Sequence, residues 1–115
     1  MDVVTSARHD ARQWEVWLIA LDPTRGSEIR KTRPCLVVSP DQMNQYLATI
    51  IVVPLTTTLR AYPSRVTIRV GGKAGKAALD QIRTVDKQRL VRKLAEASKA
   101  TADEVAAVLV EMFTR

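Results

Sequence analysis

The chain has 115 residues, and its 18 Lys and Arg residues outnumber its 12 Asp and Glu residues, which gives a net charge of +6. This length accommodates one domain, and no apolar run reaches the ~20 residues of a membrane-spanning helix. The single cysteine, Cys35, excludes an internal disulfide framework, and the excess of positive charge indicates either a polyanionic partner or simply a soluble basic domain.

The beginning of the chain predicts an arm followed by a β-rich domain. Residues 1–12 carry several charges and no continuous apolar stretch, so we expect a disordered arm rather than a secretory signal. A single domain should occupy residues 13–115. Trp14–Leu21 is apolar at both parities and predicts a strand covered on both faces, whereas Asp22–Thr32 has no periodicity and predicts a loop. Pro34–Ser39 then forms the second strand.

Three further strands are predicted in the middle of the chain. Ala48–Leu55 is a nearly continuous β-branched run and should be central, while Arg65–Val70 alternates and should be half exposed. Gly71, Gly72 and Gly75 predict a turn, and Ala77–Val85 alternates again. The sequence therefore predicts five strands.

The end of the chain predicts an amphipathic helix. Thr101–Glu104 has the spacing of a capping box. Apolar residues then recur at helical spacing at Val105, Val108, Leu109 and Met112. A mainly β protein with a C-terminal α-helix and so few short strands favours a small, strongly bent barrel.

Several familiar kinds of active site are absent from the sequence. His9 is the only histidine and lies in the arm, which excludes a nuclease that uses two histidines as acid and base. The carboxylates are scattered and show no paired spacing for metal ions, and Ala77 stands where a phosphate-binding loop needs a hydroxyl. We therefore expect no metal and no cofactor.

One segment carries an unusual concentration of positive charge. Arg25, Arg30, Lys31 and Arg33 surround Glu28 on a glycine-containing loop that leads into Pro34. A solvated loop would explain this pattern as well as a binding site would.

The sequence blocks WLIALDPTRGSEIRKTRPCLVVSP, VVPLTTT and ALDQIRTVDKQRL resemble successive blocks of the MazF/PemK toxin family. The similarity covers Val16–Leu90, and its most specific part is the succession Leu21-Asp22-Pro23, Gly26-Ser27-Glu28 and Thr32-Arg33-Pro34. The chain departs from the family at its first strand, where the usual Gly-Asp is replaced by Trp14-Glu15.

The resemblance implies an SH3-like barrel that forms a homodimer and holds single-stranded RNA in a basic groove. It further implies a toxin of a toxin–antitoxin system, inhibited by a cognate antitoxin, that cleaves RNA sequence-selectively without metal. The single cysteine, Cys35, independently favours a reducing cytoplasm as its location. The ribose 2′-hydroxyl would attack the adjacent phosphate and leave a 2′,3′-cyclic phosphate and a 5′-hydroxyl. Two other functions stay open: a toxin of the same barrel type that binds a protein such as DNA gyrase, and an RNA-binding module without chemistry.

The resemblance assigns catalytic positions to Arg33 and Thr56. A guanidinium stabilises the charge of a phosphorane-like transition state but is a poor base, so the base role falls to Glu28 or Asp80. The Asp80 assignment is weakened because the PemK-like branch has an arginine where this chain has Ala78. The residues expected to contact RNA are Arg25, Arg30, Lys31, Thr57, Tyr62 and Gln81.

Overall fold

The computed structural model describes residues 11–21, 31–58 and 62–115, and within these ranges the chain forms seven β-strands and two α-helices. The elements are β1 (Glu15–Ala20), β2 (Thr32–Val37), α1 (Asp41–Tyr46), β3 (Thr49–Thr56), β4 (Arg65–Val70), β5 (Lys73–Ala78), β6 (Arg83–Asp86), β7 (Leu90–Glu96) and α2 (Lys99–Met112). Short 3₁₀ turns span Leu79–Gln81 and Lys87–Arg89.

The strands form one strongly bent antiparallel sheet in the order β4-β5-β3-β2-β1-β7, with β6 pairing with β3. Strand β3 causes the bend, because its first half, Thr49–Val52, pairs with β6, while Leu55 and Thr56 pair with β5. The predicted fold class is confirmed: the chain is a mostly β half-barrel with a C-terminal helix.

Each face of the sheet carries its own apolar core. One cluster includes Leu36, Val53 and Ile68, and Val105 of α2 closes it. The other face gathers a second cluster made of Ala11, Ile19, Cys35, Val37, Ile50, Val52, Val85 and Leu90. Helix α2 packs on the first cluster, and none of its residues belongs to the second cluster.

The predicted fifth strand is wrong in its extent. Residues 77–85 are not one strand, because β5 ends at Ala78 and a 3₁₀ turn intervenes before β6. The turn is closed by the Ile82 amide, which donates to the Leu79 carbonyl at 3.2 Å. Gly71 and Gly72 form the predicted turn with φ of 58° and 81°, but Gly75 lies within β5.

Two elements were not predicted, and the helix begins earlier than expected. Strand β7 is an edge strand that pairs with β1 through two register shifts, so its side chains do not alternate regularly. Helix α1 has six residues. Helix α2 begins at Lys99 because Ser98 is its N-cap and accepts from the Thr101 amide at 3.1 Å. Neither helix in the described part of the chain is long and apolar enough to cross a membrane.

The unusual Trp14-Glu15 pair is built into the start of the sheet. Trp14 has φ of 73°, a left-handed conformation that glycine adopts far more readily. Its amide donates to the Val37 carbonyl at 2.7 Å, and its carbonyl accepts from the Ala97 amide at 2.8 Å. The buried Glu15 carboxylate accepts from the Arg12 amide at 2.9 Å. Ala11 is also buried, so the folded part includes residues 11 and 12, which were expected to belong to the arm.

Candidate functional site

Strand β2 presents Arg33 at the mouth of the second core. Arg33 pairs across the sheet with Ile19 and is followed by the half-buried Pro34, whose ring fixes the local backbone. The buried Cys35 pairs with Pro54 of β3. Arg33 therefore lies where the apolar interior ends and solvent begins.

A groove of about 550 Å³ opens at this point. Its described lining consists of Leu21, Lys31, Thr32, Arg33, Pro54, Gln81 and Arg83. Three of these side chains are cationic and none is acidic. Among the residues that the structure describes, no carboxylate forms an ion pair with Lys31, Arg33 or Arg83. Such a groove favours a polyanion, because its positive charge is not neutralised from within.

The two arginines of the groove come from different strands, but the charges of both affect the thiol of Cys35. Burial raises the pKa of the Cys35 thiol to about 12, while the positive charges of Arg33 and Arg83 act in the opposite direction. Cys35 is thus an uncharged residue of the core. Because both charges act on its thiol, the guanidinium groups of Arg33 and Arg83 lie near the same point of the sheet.

Thr56 lies at the end of β3, two residues after Pro54, which lines the groove. The β2–β3 register pairs Pro54 with Cys35, which stands two positions after Arg33. The Thr56 hydroxyl accepts from the Thr58 amide at 3.1 Å. A Cβ at Gly75 would come within 3.1 Å of the Thr56 carbonyl oxygen, so glycine allows β5 to approach this point closely. Thr57, the next residue, is exposed.

Asp80 and Gln81 are neighbours in the 3₁₀ turn, but their side chains contact different parts of the protein. Gln81 lines the groove. Asp80 instead accepts two hydrogen bonds from Arg65, at 2.7 and 3.1 Å, and one from the Ser64 hydroxyl at 3.0 Å. These contacts, led by the Arg65 hydrogen bond, lower the pKa of Asp80 to about 2. Asp80 is therefore engaged in an ion pair outside the described lining of the groove.

Tyr62 lies next to this ion pair. The Arg65 guanidinium carbon is 5.2 Å from the centre of the Tyr62 ring. The predicted site residues Arg25, Glu28 and Arg30 lie outside the described residues. The structure thus brings Lys31, Arg33 and Gln81 together at the groove, while Thr56, Asp80 and Tyr62 are outside its described lining.

Two arginines of this region were not predicted from the sequence. Arg83 lines the groove, and its only sequence signal is its alternation with Gln81 in the block ALDQIRTVD. Arg89 donates to the carbonyls of Ala20 and Leu21, both at 3.0 Å, and so holds the end of β1. Within the described ranges, no three His, Cys, Asp or Glu side chains are grouped closely enough to hold a metal ion.

Comparison with known proteins places the chain among close structural and sequence relatives. The endoribonuclease MazF9 of Mycobacterium tuberculosis is 35% identical over 99 residues, which are 77% of this chain and 84% of the relative. The endoribonuclease PemK of Escherichia coli is 32% identical over 113 residues, covering 93% of this chain and 85% of PemK. A mycobacterial endoribonuclease solved in complex with its cognate antitoxin superposes with a TM-score of 0.70 at 25% identity, covering 89% of this chain and 91% of that one.

A family model agrees with these pairwise similarities and spans nearly the whole described chain. It matches residues 12–113 and describes the PemK-like, MazF-like toxins of type II toxin–antitoxin systems. The match includes β1, the groove-lining end of β2, the 3₁₀ turn and α2. The chain belongs to the PemK/MazF family of type II toxins.

Proposed function

We propose that this toxin is an endoribonuclease that cleaves single-stranded RNA in the groove around Arg33. The observation that carries the proposal is the groove itself, where Lys31, Arg33 and Arg83 converge and no acidic side chain belongs to the described lining. Phosphate contacts from such cations supply most of the affinity of a protein for a nucleic acid. Relatives named endoribonucleases, 32–35% identical to this chain, support the same activity.

The cleavage chemistry that suits this groove uses the substrate's own nucleophile. The ribose 2′-hydroxyl loses its proton and attacks the adjacent phosphorus, and the bond from phosphorus to the 5′-oxygen breaks. The leaving 5′-oxygen takes up a proton from solvent, so that the products are a 2′,3′-cyclic phosphate and a 5′-hydroxyl. The Arg33 guanidinium stabilises the developing negative charge on the phosphoryl oxygens, and its planar fork suits two of them at once. Thr56, at the end of β3, donates its hydroxyl to the same phosphate. No step needs a metal ion.

The proton of the 2′-hydroxyl requires an acceptor. Asp80 is a weak base because its carboxylate is held by Arg65 and its pKa is about 2. Of the two carboxylates considered for this role, we therefore favour Glu28 and assign Asp80 to the support of its neighbours. Loss of activity in Glu28→Gln with RNA affinity unchanged would agree with this assignment, whereas equal turnover of Glu28→Gln and the wild type would remove it.

The same positive groove suits an inhibitory partner. We propose that a cognate antitoxin covers the groove with an acidic, partly disordered segment, because a net charge of +6 attracts such a segment to the surface that holds RNA phosphates. The mycobacterial relative is itself found with its cognate antitoxin. A toxin–antitoxin complex that cleaves RNA at the uninhibited rate would contradict this proposal.

The experiment that tests the proposed activity maps RNA ends. The purified protein is incubated with a long single-stranded RNA in excess EDTA, and the new ends are sequenced and tested for phosphate. We expect cuts at a defined short sequence with 5′-hydroxyl ends. A gel shift without any cleavage would instead support a binding module, and intact RNA together with inhibition of DNA gyrase would support a toxin with a protein target.

A further inference from the structure

A compact cluster of side chains surrounds Asp80 in the 3₁₀ turn, outside the described lining of the groove. Arg65, at the start of β4, reaches both Asp80 and the ring of Tyr62. Ser64 donates to the same carboxylate at 3.0 Å, and its carbonyl accepts from the Leu79 amide at 2.9 Å. The turn and the start of β4 are thus joined through side chains and backbone alike.

This cluster fixes the orientation of the Tyr62 ring. The Arg65 side chain is only 13% exposed, and its fork is occupied by the two oxygens of Asp80. Its guanidinium therefore has a set plane against which the Tyr62 ring lies at 5.2 Å. The Tyr62 backbone is held as well, because its carbonyl accepts from the Arg65 amide at 3.0 Å. Tyr62 nevertheless remains 43% exposed.

The position of the cluster connects it with the groove. Asp80 faces Arg65, while the next residue, Gln81, lines the groove with Arg33. A single-stranded RNA whose phosphate lies at Arg33 and which passes Gln81 would reach Asp80 and the side chains grouped around it. An exposed aromatic ring held in a fixed orientation is the kind of surface on which unpaired bases stack.

We propose that Arg65 and Asp80 are positioning residues that hold Tyr62 as a stacking platform for an unpaired base next to the cleaved bond. The inference rests on the proposed RNA cleavage and adds a subsite to it. If the Arg65–Asp80 ion pair were merely structural, breaking it would affect all substrates alike. In this subsite, breaking it should affect the recognition of one particular nucleotide.

The cross-strand position of Arg65 explains how this chain forms the cluster without an arginine at position 78. Arg65 is the direct antiparallel partner of Ala78. A guanidinium that starts from β4 can therefore reach Asp80 from the neighbouring strand. The small, buried side chain of Ala78 leaves the Asp80 carboxylate to Arg65.

The test combines protein variants with base deletions in a short RNA that contains the mapped cut. Each nucleotide flanking the cut is replaced in turn by an abasic ribose, which keeps the phosphate and the 2′-hydroxyl but removes the stacking surface. At one position we expect the kcat/KM of the wild type to fall by about tenfold. Tyr62→Ala should cause a similar loss, and the two changes together should cause no further loss.

The positioning role of Arg65 is tested by Arg65→Lys, which keeps the charge but loses the planar fork. We expect a loss of about threefold to tenfold that is coupled to the same abasic position and expressed mainly in KM. Asp80→Asn should behave alike, and Tyr62→Phe should recover most of the activity lost in Tyr62→Ala. Arg69→Lys is the matched control, since Arg69 lies on the same face of β4 and its guanidinium donates to the Gly72 carbonyl instead.

The possible outcomes distinguish the stacking platform at Tyr62 from the proposed RNA cleavage. Circular dichroism verifies that each variant is folded. Two results would overturn the platform and leave the cleavage proposal intact. In one, the wild type cleaves RNA, but the losses of kcat/KM caused by Tyr62→Ala and by the abasic nucleotide multiply at every position. In the other, Arg65→Lys behaves like Arg69→Lys. If the wild type cleaves no RNA, the proposed function is overturned and the platform with it.

Discussion

Arg33 and Arg83 reach the same groove from distant parts of the sequence. Arg33 could be predicted because it stands in a continuous motif that ends at Pro34. Arg83 could not, because its proximity to Arg33 arises only when β3 pairs with β2 on one side and with β6 on the other. At the scale of single residues, the sequence identifies the members of a local motif and misses partners that the sheet brings together.

At the residue scale we predict that Arg33→Ala lowers kcat by about a hundredfold or more, which is the usual cost of losing one transition-state donor. The exposed Arg33 side chain is not part of the core, so circular dichroism and the unfolding midpoint should change little. Arg33→Lys should recover only part of the rate, because an ammonium group lacks the planar fork. Turnover of Arg33→Ala equal to that of the wild type would remove Arg33 from the mechanism.

The ion pair of Asp80 predicts a specific dependence of stability on pH. The pKa of Asp80 is about 2 in the folded chain and about 3.9 in an unfolded one. A lowered pKa stabilises the folded state above the unfolded value, and this contribution is lost as the pH falls from about 4 towards 2. In urea titrations followed by tryptophan fluorescence, Asp80→Asn should therefore show a shallower loss of stability across this window.

The partner residue supplies the control for this pH dependence. Arg65→Gln removes the main cause of the lowered pKa, so it should flatten the same part of the curve. The double variant should be no flatter than either single variant, because both remove one interaction. A wild-type slope retained in Asp80→Asn would show that other carboxylates dominate in this range.

Trp14 shows a limit of residue-level reasoning. The sequence shows that Trp14 replaces the family's usual glycine. It does not show that the backbone at this position has a positive φ, which glycine would adopt with little strain. The chain tolerates tryptophan there because the backbone is fixed on both sides, by Val37 and by Ala97, and the side chain packs against the first core.

At the scale of elements, the strands with regular alternation were predictable and the irregular ones were not. Arg65–Val70 was predicted with its observed bounds because one face is buried and the other exposed. Strand β7 escaped prediction because its register shifts disturb the alternation. Residues 77–85 looked like a single strand because two strands follow each other with the same parity across the turn.

Strand β6 contributes the second arginine to the groove, and its role can be measured by salt dependence. We predict that Arg83→Ala weakens binding of an uncleavable 2′-O-methyl RNA and lowers the slope of log Kd against log salt by about 0.7, the share of one phosphate contact in a single strand. Arg69→Ala should leave the slope unchanged, since Arg69 lies on β4 outside the groove lining. An unchanged slope in Arg83→Ala would place Arg83 outside the RNA path.

At the scale of the whole molecule, the chain leaves apolar side chains exposed at the end of α2 and on the edge strand β7. Val110 and Phe113 are more than two-thirds exposed, and Val91 is nearly half exposed. An unpaired edge strand and apolar side chains in solvent are typical of surfaces that meet another chain.

We therefore predict a homodimer whose two copies together provide a longer path for RNA than one groove of about 550 Å³. Sedimentation equilibrium at micromolar concentration should give twice the 12.8 kDa mass of the chain, with dissociation on dilution. A monomer that retains full activity at that concentration would contradict the prediction.

We propose that the substrate, and not the protein or a metal, supplies the nucleophile at the groove of Arg33. The most direct measurement uses a short RNA with the mapped cut in which only the ribose on the 5′ side of the cleaved bond is replaced by deoxyribose, assayed in excess EDTA. We expect the unmodified RNA to be cut and the substituted RNA to be bound with similar affinity but not cut, because phosphate contacts carry most of the affinity. Cleavage of the substituted RNA at the same bond, or loss of all cleavage in EDTA, would rule out attack by the 2′-hydroxyl and require an activated water instead.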